Sequence, residues 1–176
     1  MEQKCRMQIK KINSEIIKIS VKEHKFYKET LLNLIDEMPD TSYELVSKSD
    51  WNLPRDFTRK YLDLFYEKVI ESSMKKLQDY HKADDWSISN GWFQQYKKDS
   101  LHEWHNHNGA NFTNVYFLEL PDLKFKTKIK VGDDVIEYEA EEGDLISFPA
   151  YLLHTSEKNG DSRKTVIAFN SDFKYG

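Results

Sequence analysis

The sequence has little of the residue types that several specialised protein classes need. Its 176 residues contain one cysteine, Cys5, so no internal disulfide can form, and a secreted scaffold built on disulfides is excluded. No apolar run approaches the roughly 20 residues that span a bilayer. The stretch 1–11 carries charges where a signal peptide needs an apolar core. We therefore expect a cytoplasmic protein with no membrane partner.

Linkers and an excess of positive charge are also missing. With six glycines, four prolines, no repeat and no low-complexity tract, the chain shows no domain boundary, and we expect a single domain over 1–176. Lysine and arginine number 26 against 30 acidic residues, a net charge of −4. The basic stretches 48–60 and 124–130 are interrupted by acidic or apolar residues. Nucleic acid is therefore not an expected partner.

The hydrophobic pattern changes near residue 85. Before it, apolar residues recur at helical spacing over 26–38 and 57–77, which predicts two amphipathic helices. Pro39 closes the first, and Pro54 suits the first turn of the second. The β-branched stretch 16–21 favours a strand.

After residue 85 the sequence indicates short strands separated by turns. The predicted strands are 86–96, 101–107, 111–120, 124–131, 135–140, 145–148 and 163–170, with turns at 132–134 and 159–161. The pattern predicts an α+β domain in which a mainly helical part, 1–84, supports a β sandwich or small barrel, 85–176.

What the sequence does have is a cluster of histidines. His102, His105 and His107 fall within six residues, and His154 lies before a polar turn. Alternation along a strand would give two faces, one with Glu103, His105 and His107 and the other with His102, Trp104 and Asn106. Two imidazoles at positions i and i+2, with a third from a distant strand, form a facial set that suits Fe(II). The alternative is that the three histidines are ordinary polar residues on the surface, or that His102 makes a buried hydrogen bond.

The spacing around these histidines resembles that of the Fe(II)/2-oxoglutarate-dependent oxygenases, in particular prolyl-4-hydroxylase-like members and phage and marine bacterial relatives. The run from Tyr96 through Asp99, His102 and His105 to His107 keeps the spacing of the family pattern Y-x-x-G-x-x-Y-x-x-H-x-D. A glycine turn and apolar strand over 142–149 precede His154, and Arg163-Lys-Thr165 resembles the family's Arg-x-Ser/Thr. The likeness covers roughly 86–173.

The resemblance implies a double-stranded β-helix (jelly-roll) barrel braced by two or three N-terminal helices. It implies Fe(II), 2-oxoglutarate as co-substrate and O2, with His105, His107 and His154 as metal ligands. Arg163 and Thr165 would hold the far carboxylate of 2-oxoglutarate, because a guanidinium matches a carboxylate, and Tyr96 would add its hydroxyl.

The sequence departs from the family at the acidic ligand. His107 stands where the family has aspartate, so the metal would be held by three histidines. Alternatively Glu103 supplies the carboxylate and His107 lies behind it. We prefer His107 because it keeps the motif register. His102 replaces the second tyrosine of the pattern and is a supporting neighbour.

The implied reaction is hydroxylation of a C–H bond on a prolyl-type protein side chain or a small molecule, with 2-oxoglutarate converted to succinate. Candidate substrate-side residues are Trp92, Trp104, Asn114 and Tyr116. One alternative is a cupin-type metal enzyme without 2-oxoglutarate, since Gly143, Pro149 and His154 also keep cupin spacing, with Tyr151 replacing a glycine. The other is a non-catalytic binding module on the same barrel.

Overall fold

The computed structural model describes residues 14–176. Cys5 and the charged stretch 1–11 lie outside the described residues. In the described part of the chain, no helix is both long enough and apolar enough to cross a membrane.

Two helical segments precede most of the strands, as the spacing predicts. Helix α1 spans His24–Asp36 and buries Leu31, Leu32 and Ile35. The second segment begins as helix α2, Lys60–Leu64, continues through a π-helical turn, Phe65–Ile70, and ends as helix α3, Glu71–His81. It starts three residues later than predicted, so Pro54 lies in the preceding loop and not in the first helical turn.

Within residues 14–176, ten strands form two antiparallel sheets. The strands are β1 Ile17–Ser20, β2 Lys48–Ser49, β3 Asp85–Tyr96, β4 His102–His105, β5 Phe112–Glu119, β6 Lys128–Val131, β7 Asp134–Ile136, β8 Asp144–Pro149, β9 Leu153–Ser156 and β10 Lys164–Lys174. The larger sheet has the order β1-β8-β5-β10-β3-β2, and the smaller has the order β4-β9-β6-β7.

The molecule has three layers, which are the helices, the large sheet and the small sheet, and a hydrophobic core lies between each layer and the next. One core joins the helices to one face of the large sheet through residues such as Phe65, Phe93 and Phe169. The other joins the opposite face to the small sheet, where Ile129 of β6 meets Phe117 and Val166. The architecture is therefore α+β, with mostly antiparallel sheets and few helices, consistent with a jelly roll.

The predicted strands at 16–21, 86–96 and 145–148 are present with small shifts at their ends. Strands β2 and β9 were not predicted. The start of the predicted strand 124–131 is a 3₁₀ turn, Leu123–Phe125, because the Asp122 carboxylate accepts the Lys124 N–H and caps that turn. β10 runs to Lys174, four residues beyond its predicted end.

Candidate metal centre

Three histidines meet at the pairing of β4 with β9. His105 lies directly opposite His154, and His107 follows β4, its N–H donating to the carbonyl of Ala150. One ring nitrogen of each lies within 4.8 Å of the others. The ring centroids of His105 and His154 are 4.2 Å apart, and those of His107 and His154 are 5.0 Å apart. The structure therefore brings the three predicted ligands together.

The outer nitrogen of each ring is already engaged. Nδ1 of His105 lies 2.7 Å from the carbonyl of Glu103, and Nδ1 of His154 lies 3.2 Å from that of Leu152. Nδ1 of His107 lies 2.6 Å from Oδ1 of Asn170. Because carbonyl oxygens only accept, each Nδ1 carries the proton and leaves the Nε2 lone pair for a metal.

Burial keeps these rings neutral. It lowers the pKa of His105 and of His107, and lowers the pKa of His154 to about 2, with neighbouring imidazoles adding to the shift at His154. Neutral imidazole is the form that binds a metal. The set is therefore ready to act as a ligand without losing a proton.

His102 points inward with the other three, contrary to the simple alternation predicted for the strand. The pairing of β4 with β9 shifts register between His102 and His105, and this irregularity turns both rings to the same side. The two rings stack with centroids 3.8 Å apart, and Nδ1 of His102 lies 3.1 Å from Nε2 of Gln94. Burial, helped by neighbouring histidines, lowers the pKa of His102 to about 3.

Glu103 does not join the cluster. Its side chain is exposed and lines the outer trough, and its backbone carbonyl is what holds His105. Among residues 14–176, the group whose ligand atoms converge here consists of histidines alone. The geometry thus favours His107 over Glu103 as the third ligand.

The cation beside the cluster is Lys164, not Arg163. Arg163 makes two hydrogen bonds to the Glu119 carboxylate, at 2.9 and 3.0 Å, and a third to Asp36. Thr165 also donates to Glu119. Arg163 and Thr165 do share a face, but it is the face toward the helices. This placement corrects the sequence-based assignment of both to the co-substrate pocket.

Lys164 lines the histidine cavity and is 1% exposed. Its Nζ donates to the carbonyl of Phe125 and to the hydroxyl of Ser156, and lies 4.2 Å from the ring centroid of Tyr96. In the described chain no carboxylate pairs with it. Burial lowers its pKa to about 7. A buried ammonium without a counter-charge is costly, so the site favours an anion.

The aromatic candidates divide between the two sides of the large sheet. Tyr96 lines the histidine cavity and donates to Oε1 of Gln94, and Trp92 lines both that cavity and the trough. Trp104 is exposed at the rim of the trough. Tyr116 lies in the core under the helices, with its hydroxyl 2.6 Å from Nδ1 of His24.

Asn114 also faces the helices, donating to Phe169 and Ser171. The assignment of Asn114 and Tyr116 to the substrate side is therefore wrong. Both alternate with Val115 and Phe117, which point between the sheets.

Two spaces adjoin the histidines. The inner cavity, between the histidines and Lys164, has about 20 Å³, room for roughly one water. The outer trough has about 510 Å³ and reaches His105 and His107. A larger anion beside Lys164 therefore requires the cavity side chains to move apart.

Asn170 and Lys164 are functional candidates that the motif did not reveal. Both lie on β10 at even positions with Val166 and Ala168, so the four side chains share one face of the strand. Residues 164–169 show no polar–apolar alternation that would mark this face in the sequence, and the motif placed the carboxylate-binding residue one position earlier.

Comparison with known proteins supports the fold. No family model matches the chain, and no curated protein sequence matches it. A viral collagen prolyl hydroxylase from Paramecium Bursaria Chlorella virus-1, solved with 2-oxoglutarate, aligns at 14% identity and TM-score 0.60, covering 89% of this chain and 94% of that one.

Two further structures align with a similar extent. A 2-oxoglutarate-Fe(II) oxygenase family oxidoreductase from Burkholderia pseudomallei has 12% identity and TM-score 0.68, covering 89% and 84% of the two chains. HygX from Streptomyces hygroscopicus, with nickel and 2-oxoglutarate bound, has 12% identity and TM-score 0.63, covering 90% and 83%. The chain therefore has the fold that these oxygenases share.

Proposed function

We propose that the chain is an Fe(II)- and 2-oxoglutarate-dependent oxygenase that hydroxylates a C–H bond of a prolyl-type protein side chain or of a small molecule. The observation that carries this proposal is the pairing of a convergent three-histidine set with Lys164 in one cavity. A metal-chelating dianion needs both a metal with open positions and a cation for its far carboxylate.

The residues present supply the donor groups that this pair of ligands needs, and 2-oxoglutarate would enter once the side chains around the cavity of about 20 Å³ move apart. His105, His107 and His154 would hold Fe(II), with their Nδ1 protons anchored outward. Three neutral imidazoles leave the full charge of the metal for a dianionic co-substrate to neutralise. When bound, these groups supply oxidative chemistry in which a substrate C–H, O2 and 2-oxoglutarate yield an alcohol, succinate and CO2.

Lys164 would hold the far carboxylate. Its ammonium has no counter-charge in the described chain, and Tyr96 and Ser156 lie beside it. Two of the aligned structures hold 2-oxoglutarate, which supports it as the co-substrate. The cytoplasm, expected from the lone cysteine, would supply Fe(II) and 2-oxoglutarate.

A cupin-type enzyme without 2-oxoglutarate needs the histidines but does not need Lys164. A non-catalytic module needs neither. The buried, unpaired charge of Lys164 therefore favours the oxygenase over both alternatives.

The test is an anaerobic titration of the Fe(II) protein with 2-oxoglutarate, followed by succinate measurement in air with ascorbate. We expect a visible charge-transfer band and succinate formation. Lys164→Met should raise the Kd for 2-oxoglutarate at least tenfold, because a charge-assisted hydrogen bond worth about 1.5–3 kcal/mol is lost.

Arg163→Met is the matched control, since its guanidinium lies on the other side of the sheet. It should leave the band almost unchanged. A wild-type protein that gives neither band nor succinate would rule out the oxygenase, and loss of the band in Arg163→Met alone would restore the motif-based assignment.

A further inference from the structure

One edge of the large sheet is open beside the candidate metal centre. Strand β2 pairs with β3 only at Gln94 and Gln95, so residues 85–93 have no strand partner on that side within the described range 14–176. Phe93 shows which backbone groups face outward. Its N–H donates to the carboxylate of Asp50 and its carbonyl accepts from Ser49.

Backbone groups alternate in direction along a strand, so the N–H and C=O of Gly91 point to the same open edge as those of Phe93. A Cβ on Gly91 would lie 2.0 Å from the hydroxyl oxygen of Tyr66, so any other residue here would displace the Tyr66 side chain. With glycine in place, the backbone donor and acceptor at the edge carry no side chain of their own.

A groove of about 700 Å³ runs along this edge. Its walls are residues 88–92 of β3, the loop 50–59 and the start of helix α2 with its π turn. At about 3.3 Å per residue, a wall of this length matches four or five residues of an extended chain.

The groove leads to the histidines. It shares Trp51, Arg55, Asn90 and Trp92 with the trough of about 510 Å³ that reaches His105 and His107. Trp51 packs edge-on against Trp92, with ring centroids 4.5 Å apart, and lines both the groove and the trough. An occupant of the groove therefore continues into the trough.

Two side chains indicate what the occupant carries. Arg55 is exposed and has no ion pair or hydrogen bond within residues 14–176, so its charge favours an acidic group. Trp51 is 42% exposed and offers an apolar face. A polypeptide is the occupant that also supplies a backbone donor and acceptor at strand spacing.

We propose that the open edge of β3 at Gly91 is a docking site for an extended peptide, which adds to the sheet as a strand, places an acidic side chain near Arg55 and continues past Trp92 to the histidines. That the peptide is then a substrate rests on the proposed function. The docking itself does not, and it can be tested without a metal.

Because the chain has only six glycines, the amide signal of Gly91 at this edge can be observed with few other signals present. We would label metal-free protein with ¹⁵N-glycine and add a pool of acetylated, amidated octapeptides, each with one glutamate among randomised residues. The Gly91 amide signal is expected to shift. The signal of Gly132, which lies between β6 and β7 and lines neither the groove nor the trough, serves as the internal control and should not move.

Variants and modified probes separate strand pairing from other binding. Arg55→Gln should weaken the Gly91 response three- to tenfold, whereas Lys98→Gln, which removes an exposed cation paired with Asp161 outside the groove, should not. A pool methylated at alternate backbone nitrogens should lose the response, because an added strand needs those donors.

An unmoved Gly91 signal at millimolar peptide would overturn the docking proposal. So would an equal shift with a mixture of free amino acids, which would make the occupant a small molecule. If Gly91 responds but 2-oxoglutarate gives no charge-transfer band, the proposed function fails and the docking stands. If the charge-transfer band forms but Gly91 does not respond, the docking proposal fails and the proposed function stands.

Discussion

At the scale of single residues, Asn170 is the group that orients the His107 ring. Its Oδ1 lies 2.6 Å from Nδ1 of His107, while its Nδ2 donates to Oδ1 of Asn90 at 2.9 Å. The second bond holds the amide so that oxygen, not nitrogen, faces the imidazole. The buried hydroxyl of Thr113 lies 3.0 Å from the same Nδ1.

We therefore expect Asn170→Leu to weaken Co²⁺ binding about 10- to 100-fold, the usual effect of losing the partner of a metal-bound histidine. Asn170→Asp keeps an acceptor and should restore the affinity. Titration of the metal-free protein with Co²⁺, followed by its visible absorption, measures both effects.

Asn114→Leu is the matched control, because Asn114 is also a buried asparagine, lies on the neighbouring strand and makes no hydrogen bond to a histidine within residues 14–176. It should bind Co²⁺ as the wild type does. If Asn170→Leu also binds normally, His107 is held in place without Asn170 or is not a ligand.

Residue types and spacing were sufficient to find the three histidines, but not the cation. Arg163 and Lys164 are neighbours, and a shift of one residue along a strand exchanges the two faces. Only the register of β10 with β3, where Lys164 lies opposite Tyr96, decides which of them faces the histidines. Register depends on distant strands and cannot be read from a local motif.

At the scale of elements, Asp50 ties the loop 50–59 to the sheet and to helix α2. The carboxylate is fully buried and accepts from Arg59 at 2.8 Å, from the Tyr61 hydroxyl at 2.6 Å and from the Phe93 N–H at 2.9 Å. This one side chain joins the two ends of the loop 50–59, the start of helix α2 and strand β3, and it lines the groove along the edge of β3.

Asp50→Asn should lower the free energy of unfolding by about 3–5 kcal/mol, because the Arg59 charge would lose its buried partner. Urea denaturation measures the loss. The control is Asp161→Asn, which breaks an exposed pair with Lys98 and should cost less than about 1 kcal/mol. Equal effects of the two changes would contradict the role of Asp50 as an anchor.

The elements that sequence patterns predicted well are those with a long apolar period, such as helix α1 and strands β3 and β8. β9 was missed because its four residues follow a short turn and show no period of their own. Its pairing with β4 and β6 makes it a strand. That pairing also sets His154 opposite His105, so the predicted distal ligand reaches the cluster although its strand was not predicted.

At the scale of the whole molecule, three layers bury a polar site between the two sheets. The fold encloses His102 and His154, at 8% and 4% exposure, together with Lys164. Burying groups that can carry charge lowers the stability of the metal-free protein wherever those groups are charged in the unfolded chain. The site therefore couples stability to pH.

The sign of this coupling follows from the lowered pKa values. Burial lowers the pKa of His102 to about 3 and that of His154 to about 2, from an ordinary value of 6.5. Below pH 6.5 the unfolded chain binds protons that the folded chain does not. The free energy of unfolding should thus fall as the pH drops from 6.5 toward 4, by about 3 kcal/mol per pH unit for the two histidines together.

Urea denaturation of metal-free protein at pH 7.5, 6.5 and 5.5 tests this prediction. The contribution of these histidines should change the unfolding midpoint little between pH 7.5 and 6.5. By pH 5.5 it should lower the midpoint clearly. The double variant His102→Gln and His154→Gln should show a smaller fall, because the unfolded chain then no longer gains the two protons that these buried rings do not accept in the folded chain. A wild-type midpoint that is the same at pH 6.5 and 5.5 would mean that the folded chain accepts those protons, and that the histidines are not held neutral between the sheets.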